Sequence, residues 1–364
     1  MKTILFYFGH PAQYLFSRAS IKIFLKNHKV IILLKTKDVL EDLVISDGLE
    51  YTNILPGGRG KSKLSIIISL IKRIFIIFPI VLKHKPNVMV STDASLAIIG
   101  FLLRKHVITI TEDDYTVIKS LGDLTYPFTS SILCPTPCSV GKWEDKKIGY
   151  LGYMKLSYLH PKVFCLDPQV LNKYGFEGEY ALIRVAKLTA HHDFGIKGID
   201  HDLLLTLVEK LENRNFKVLI SSEGILPSEF VSYKLEIHPR DMHHVLAGSS
   251  ILICDSQSMA VEAAMLGIPS IRYSSFAGKI SVLEELQNVY QLTYGINASS
   301  KEALLDKLNS LLNIENLLEE FQSRRNIMLH DKICVSEFLE WFILNFPESK
   351  NIMKGNPEFQ LKFK

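Results

Sequence analysis

The chain has 364 residues, 42 Lys+Arg against 38 Asp+Glu, and 47% hydrophobic residues. At roughly 150 residues per domain this suggests two globular domains, each large enough for its own core. A net charge of only +4 excludes the strongly basic balance of a nucleic-acid binder, so no nucleic acid is expected as a partner. Five cysteines, Cys134, Cys138, Cys165, Cys254 and Cys334, form no disulfide framework, which fits a reduced cytoplasmic protein. Cys134-x-x-x-Cys138 has no second ligand pair nearby, and no metal site is expected.

The opening run MKTILFYFGHPAQ ends in Gly9-His10-Pro11 rather than in small cleavage-site residues. It predicts a first buried strand, not a signal peptide. A helix over 14–26, a strand over 29–34, a helix over 39–46 and a strand over 51–55 follow, the alternation of a doubly wound sheet. The first turn holds one glycine, so the dinucleotide fingerprint is absent. His10, at the carboxyl end of the first strand, can act as a general base near neutral pH or simply hydrogen-bond within its turn.

Residues 57–63, GGRGKSK, lack phosphate-loop spacing and read as a basic loop. The helix behind it, LSIIISLIKRIFIIFPIVL, carries Lys72 and Arg73 at its centre, a costly pair for a membrane span. No acidic residue lies between Tyr51 and Thr92. Residues 57–85 therefore suit the surface of an anionic membrane, and equally a core helix with solvated lysines.

A strand over 88–91 leads to Asp93 at a helix start. Another, over 107–110, runs into Glu112, Asp113 and Asp114. Three carboxylates at a strand end are a second candidate for acid–base work, since crowded like charges raise one another's pKa. The alternative is an acid-rich helix start. A strand over 131–134 follows, and 150–167 reads as the linker between domains.

The alternation then restarts: strands over 180–185 and 216–221 flank a helix over 202–213, and a short strand over 235–237 precedes a helix over 242–247. Next comes SILICDSQSMAVEAAMLGIPSIRYSSFAGKI, residues 250–280. It reads as a strand over 251–254, a polar turn, a helix over 259–266 stopped by Gly267 and Pro269, and a strand over 270–273. With Ser258 as N-cap, the free N–H groups of the first turn sit beside two hydroxyls, a setting that attracts phosphate. Glu262 either complements the helix dipole or accepts hydrogen bonds from ribose hydroxyls. Helices over 281–287, 301–312, 315–328 and 333–344 follow; the last is aromatic and could pack across both domains. Residues 353–364 read as a disordered basic tail.

Three loop clusters accompany this unit: Arg184 with Lys187, His191, His192, Asp193 and Lys197; Ser221-Ser222-Glu223-Gly224; and His238-Pro239-Arg240-Asp241-Met242-His243-His244. Neighbouring histidines point apart and have no H-x-x-x-H spacing, which argues against metal. Arg184 and Lys279 fit better as diphosphate partners.

The runs SYLHPKVFCLDP, IRVAKLTAHHDFGIKGID, SSEGILPSEF, HPRDMHHVLA and CDSQSMAVEAAMLGIPSIRYSSFAGKISVLEEL resemble a prokaryotic family grouped with UDP-N-acetylglucosamine 2-epimerases and GT-B glycosyltransferases. The likeness is strong from about Ser157 to Tyr290. It implies an α/β GT-B fold of two Rossmann-like, parallel-sheet domains facing a cleft, the second holding a nucleotide-sugar. The expected boundaries are 1–156, 157–346 with C-terminal helices, and a basic tail over 347–364. In the epimerases the matching turn reads D-S-G-G; here Asp255 and Ser256 match, Gln257 and Ser258 replace the glycines, and Glu262 matches the carboxylate that holds the ribose.

The reading is thus a metal-independent glycosyltransferase, peripheral on the inner face of the membrane, that moves a sugar from a UDP-sugar to a lipid-linked or glycan acceptor and needs no cofactor. His10, Glu112, Asp113 or Asp114 would be its base. Arg184, Ser222, Glu223, His243, Asp255, Ser256, Ser258, Glu262 and Lys279 would bind the donor. The rival is a sugar-nucleotide isomerase like the non-hydrolysing 2-epimerases.

Overall fold

A computed structural model describes residues 1–56, 63–176, 178–185 and 198–364, with only the backbone of 63 and 64. The basic loop at 57–62 and the cluster residues Lys187, His191, His192, Asp193 and Lys197 lie outside the described residues. The chain forms two units: Met1–Val163 with Lys332–Lys364, and Phe164–Asp331.

Unit 1 begins β1 (Thr3–Phe8), α1 (Pro11–Phe24), β2 (Lys29–Lys35), α2 (Leu40–Ser46), β3 (Thr52–Leu55), α3 (Lys63–His84), β4 (Val88–Ser91), α4 (Ala94–Leu102), β5 (His106–Ile110) and α5 (Lys119–Thr125). It continues with β6 (Ser131–Pro135), β7 (Lys147–Tyr150) and the single-turn α6 (Leu156–Leu159). The seven strands form one parallel sheet, ordered β3-β2-β1-β4-β5-β6-β7. Alternation along β1 decides which helix covers which face. Leu5 and Tyr7 join Ile77 and Val81 of α3 and Leu96 and Ala97 of α4. Phe6 stacks instead on Phe24 of α1, and Phe8 meets Tyr14 of α1 edge to face.

Unit 2 contains α7 (Pro168–Lys173), β8 (Tyr180–Val185), α8 (His201–Glu212), β9 (Lys217–Ser222), α9 (Met242–Ala247), β10 (Ile251–Cys254), α10 (Gln257–Leu266), β11 (Ser270–Tyr273), α11 (Ser281–Asn288), β12 (Tyr294–Ile296), α12 (Lys301–Leu312) and α13 (Leu317–Asp331). Its five strands are parallel, ordered β12-β11-β10-β8-β9. The expected strand over 235–237 does not form; a single bridge, Ile220 to Lys234, takes its place.

Two readings of connecting segments are corrected. Residues 150–160, expected as linker, bury Tyr150, Tyr153, Met154, Leu156 and Leu159, and so belong to the core of unit 1. After α14 (Val335–Leu344), which stands where a helix was expected, the tail is ordered as α15 (Glu348–Gly355) and a 3-10 turn at Pro357–Phe363. Gln360 accepts the Leu151 N–H at 2.6 Å, and Trp341 packs on Phe359 and Phe363. Aromatic burial outweighs the basic composition that suggested disorder. The aromatic helix belongs to unit 1, where Phe338 meets Tyr150.

Asp47, just after α2, ties that helix to α1. Its carboxylate accepts Arg18 Nη2 at 2.6 Å, Lys22 Nζ at 2.9 Å and the Tyr14 hydroxyl. Burial alone would raise this carboxyl, but the bonds from Arg18, Lys22 and Tyr14 outweigh it and hold it at about 2, against 3.8. The stabilisation is therefore present above pH ~4 and lost as pH falls through the folded value. Asp47→Asn should lower the urea-unfolding free energy by about 2 kcal/mol at pH 7, with the difference from the parent closing between pH ~4 and ~2.

Candidate functional site

In unit 2 the order of strands reverses direction between β8 and β10, so the loops after these two strands flank a switch point. All four residues of β10, Ile251–Cys254, are buried, which fixes where the next turn emerges. The cap of α10 is Ser256, not Ser258. Its hydroxyl accepts the Met259 N–H at 3.4 Å, and the helix starts at Gln257, two residues earlier than expected. Ser258 is instead its second residue. Among the described residues, the N–H groups of Gln257 and Ser258 have no hydrogen-bond partner. Two open amides at the positive end of a helix form an anion-binding head.

Gln257 turns its side chain to β11. Its Nε2 donates to Ser274 Oγ at 2.8 Å, and its Oε1 accepts from Arg272 Nη1. Arg272 is 1% exposed, its Nε has no partner, and no described carboxylate pairs with it. Burial presses its pKa below the usual arginine value. A desolvated, unpaired guanidinium is costly, and this one stands directly behind the head of α10. The sequence reading passed over it, because an arginine inside SIRY gives no sign of burial. At the other end of α10, Gly267 adopts φ +70°, and a Cβ there would lie 2.7 Å from Gln322 Nε2. Arg325 Nε caps the Met265 carbonyl at 2.6 Å.

Glu262 is buried rather than on a solvated face, and lies 3.4 Å from His243 Nε2 of α9. The structure thus joins two residues that the sequence placed in separate clusters. Asp255 packs against Gly198, where a Cβ would lie 2.8 Å from its Oδ2. The Arg184 guanidinium donates to Ser221 Oγ and Glu223 Oε1 at the end of β9, each at 2.7 Å. Ser222 accepts the Gly224 N–H at 3.1 Å, and Lys279 is exposed in the loop after β11.

In unit 1 the switch point lies between β1 and β4. His10, after β1, caps α1: its Nδ1 accepts the Ala12 N–H at 3.2 Å. The neutral ring therefore carries its proton on Nε2 and presents a donor, so a base's lone pair is not what it offers at rest. The ring is exposed yet crowded, and that desolvation lowers its pKa below 6.5, helped by Lys155, Lys37 and Lys35 and opposed by Asp38. Asp93, after β4, was read only as a helix start. Its Oδ1 caps α4 through Ser95 N at 2.9 Å and meets buried Arg73 at 3.4 Å. Among the described residues its Oδ2 has no hydrogen-bond partner.

The three carboxylates after β5 separate. Glu112 is held by Lys155 Nζ and by the Met154 N–H at 2.6 Å, and Asp114 is buried with Ser139 N at 2.8 Å. Both pin loops: donors engage the two oxygens of Glu112 and Oδ1 of Asp114. Asp113 alone is exposed. Desolvation raises its pKa, with Lys155 opposing and Glu112 and Asp114 adding to the rise. Like-charge crowding is thus a lesser cause than expected. The strands that carry His10 and Asp113 are two positions apart, roughly 10 Å. Among the described residues no group of three or more His, Cys, Asp or Glu is placed to hold a metal ion.

With this geometry in place, the chain can be set beside solved structures. UDP-GlcNAc 2-epimerase from Neisseria meningitidis, bound to UDP-GlcNAc, matches with TM-score 0.64 and 15% identity over 94% of this chain and 99% of its own. The enzyme of the same name from Methanocaldococcus jannaschii, in complex with UDP-GlcNAc and UDP, matches with TM-score 0.62 and 15% identity over 90% and 98%. A calicheamicin glycosyltransferase matches with TM-score 0.59 and 13% identity over 95% and 99%. The chain has the GT-B fold. No protein-family model matches it, and no curated protein sequence does. Its structural neighbours are the UDP-GlcNAc 2-epimerases and GT-B glycosyltransferases that the sequence motifs resemble.

The His10 tautomer gives a direct check. Long-range nitrogen–proton NMR of the ring should show Nε2 protonated and Nδ1 bare at pH 7, with a titration midpoint below 6.5. A ring protonated on Nδ1 would return His10 to the role of base.

Proposed function

We propose that this protein is a UDP-sugar enzyme that rearranges the sugar nucleotide itself, in the manner of the 2-epimerases. The observation that carries the reading is the head of α10, where two open amides follow β10 beside the switch point of a GT-B chain and buried Arg272 of β11 holds the Gln257 side chain. The diphosphate would bind those amides. Glu262, with His243 beside it, would accept from the ribose hydroxyls. Inverting a carbon that bears hydrogen requires a proton to leave and return, which needs groups able to change protonation near neutral pH. Asp113, exposed and with its carboxyl raised above its ordinary value, meets that need better than Glu112 and Asp114, while His10 would donate a hydrogen bond through Nε2.

Glycosyl transfer to an acceptor is the second reading. It is favoured by the exposed apolar face of α3, which would suit a lipid-linked acceptor, and it needs a single base.

Incubating the protein with UDP-GlcNAc in heavy water separates the two. Epimerisation carries solvent deuterium into the sugar ring with no acceptor present; transfer leaves the ring unlabelled and requires one. UDP binding measured by calorimetry tests the donor site under either reading. Arg272→Met should keep the fold, because it removes an unpaired buried charge, while weakening UDP binding about tenfold, the equivalent of about 1.4 kcal/mol. Glu262→Gln should weaken uridine or UDP binding by a similar factor and leave inorganic pyrophosphate binding unchanged. Unaltered UDP affinity in both variants would sink the assignment of the site.

A further inference from the structure

Unit 1 presents a surface that rearrangement of the sugar nucleotide does not use. α3 turns Ser69, Arg73, Ile77 and Val81 inward, one per turn, with Ile77 and Val81 in the core of the sheet. Its opposite side is left to solvent: Ile67, Ile68, Ile71, Phe75 and Leu82 are exposed, Phe75 by 74%. At about 100° per residue these five fall in an arc roughly 100° wide, with Ile71 and Leu82 nearest its centre. Exposed Lys72 and Lys83 border it on one side. Beside it α4 leaves Phe101 and Leu102 exposed as well. Single apolar residues on a surface mean little, but five on one helix face mark an interaction site.

Charge decides what covers it. No Asp or Glu lies between Tyr51 and Thr92, so the helix bears only positive side chains around its apolar face. A second copy docked face to face would set the lysine border against itself with no carboxylate on the helix to answer it. Nor does the helix span a bilayer, although Ser65–His84 has a mean hydropathy of 2.3. Arg73 is buried against Ser69 Oγ at 2.7 Å and Asp93, which anchors the inner face to the sheet. What remains is a helix lying in the plane of an interface, its apolar face among acyl chains and its lysines reaching lipid phosphates.

We propose that α3 docks this protein on an anionic lipid surface through Ile67, Ile68, Ile71, Phe75 and Leu82, with Lys72 and Lys83 contacting the headgroups. The test is co-sedimentation of the full chain with phosphatidylglycerol-containing vesicles and with pure phosphatidylcholine vesicles, beside analytical ultracentrifugation without lipid. The expected result is binding to the anionic vesicles at least about tenfold stronger than to the neutral ones. Ile71→Ser with Phe75→Ser should abolish it, and Lys72→Glu with Lys83→Glu should weaken it about tenfold or more, the salt-sensitive share of two surface charges. These positions are exposed, so an unchanged thermal midpoint should show the variants folded. No vesicle binding, binding indifferent to lipid charge or to the serine pair, or a lipid-free dimer that Phe75→Ser dissociates would each overturn the proposal.

Discussion

The site in unit 2 depends on one constraint: β10 is buried on both faces, so its end, and the helix that starts there, have nowhere else to go. Four apolar residues put Ser256 at the cap, and the cap leaves the amides of Gln257 and Ser258 without protein partners. Gln257 could have closed this head with its own side chain. Arg272 and Ser274 hold that side chain against β11 instead. A burial that costs stability in isolation thereby keeps an anion site open and adds positive potential behind it.

Unit 1 is organised the same way with different chemistry. Its switch point gathers His10, Thr92 and Asp93, and Gln13 joins the first two turns by accepting the Gly9 N–H at 2.8 Å and bonding Thr92. Backbone donors and buried partners determine which groups remain available. Glu112 and Asp114 are spent on loops, whereas Asp113 beside them keeps its solvent access. Neighbours in sequence therefore differ in role because only one of the three lacks a donor within reach. The same logic sorts α3, whose two central charges part company: Arg73 is drawn inward to Asp93 while Lys72 stays with solvent.

Much of the architecture was legible because parallel strands buried on both faces write continuous apolar runs, and glycine and proline punctuate them. The strands over 88–91, 131–134, 251–254 and 270–273 stand within a residue of where the pattern put them. β7 and β12 were not legible, since KIGY and YGI are half-exposed edge strands interrupted by glycine rather than continuous apolar runs, and the strand expected over 235–237 did not form. The tail failed for another reason. Its lysines described a solvated segment, and nothing local revealed that Phe359 and Phe363 would meet Trp341.

By itself the sequence determined the α/β alternation, because that rests on local residue type and spacing; the turn at 255–258 was an expectation from its hydroxyls and helix start, and the standing of Glu262 came from the family resemblance. Only the tertiary structure decided that Ser256 is the cap, that Glu262 meets His243, that Arg184 turns to Glu223, and that Arg272 lies buried behind Gln257. Those outcomes turn on which donors and acceptors distant strands bring within about 3 Å of one another, a quantity that no spacing along the chain encodes.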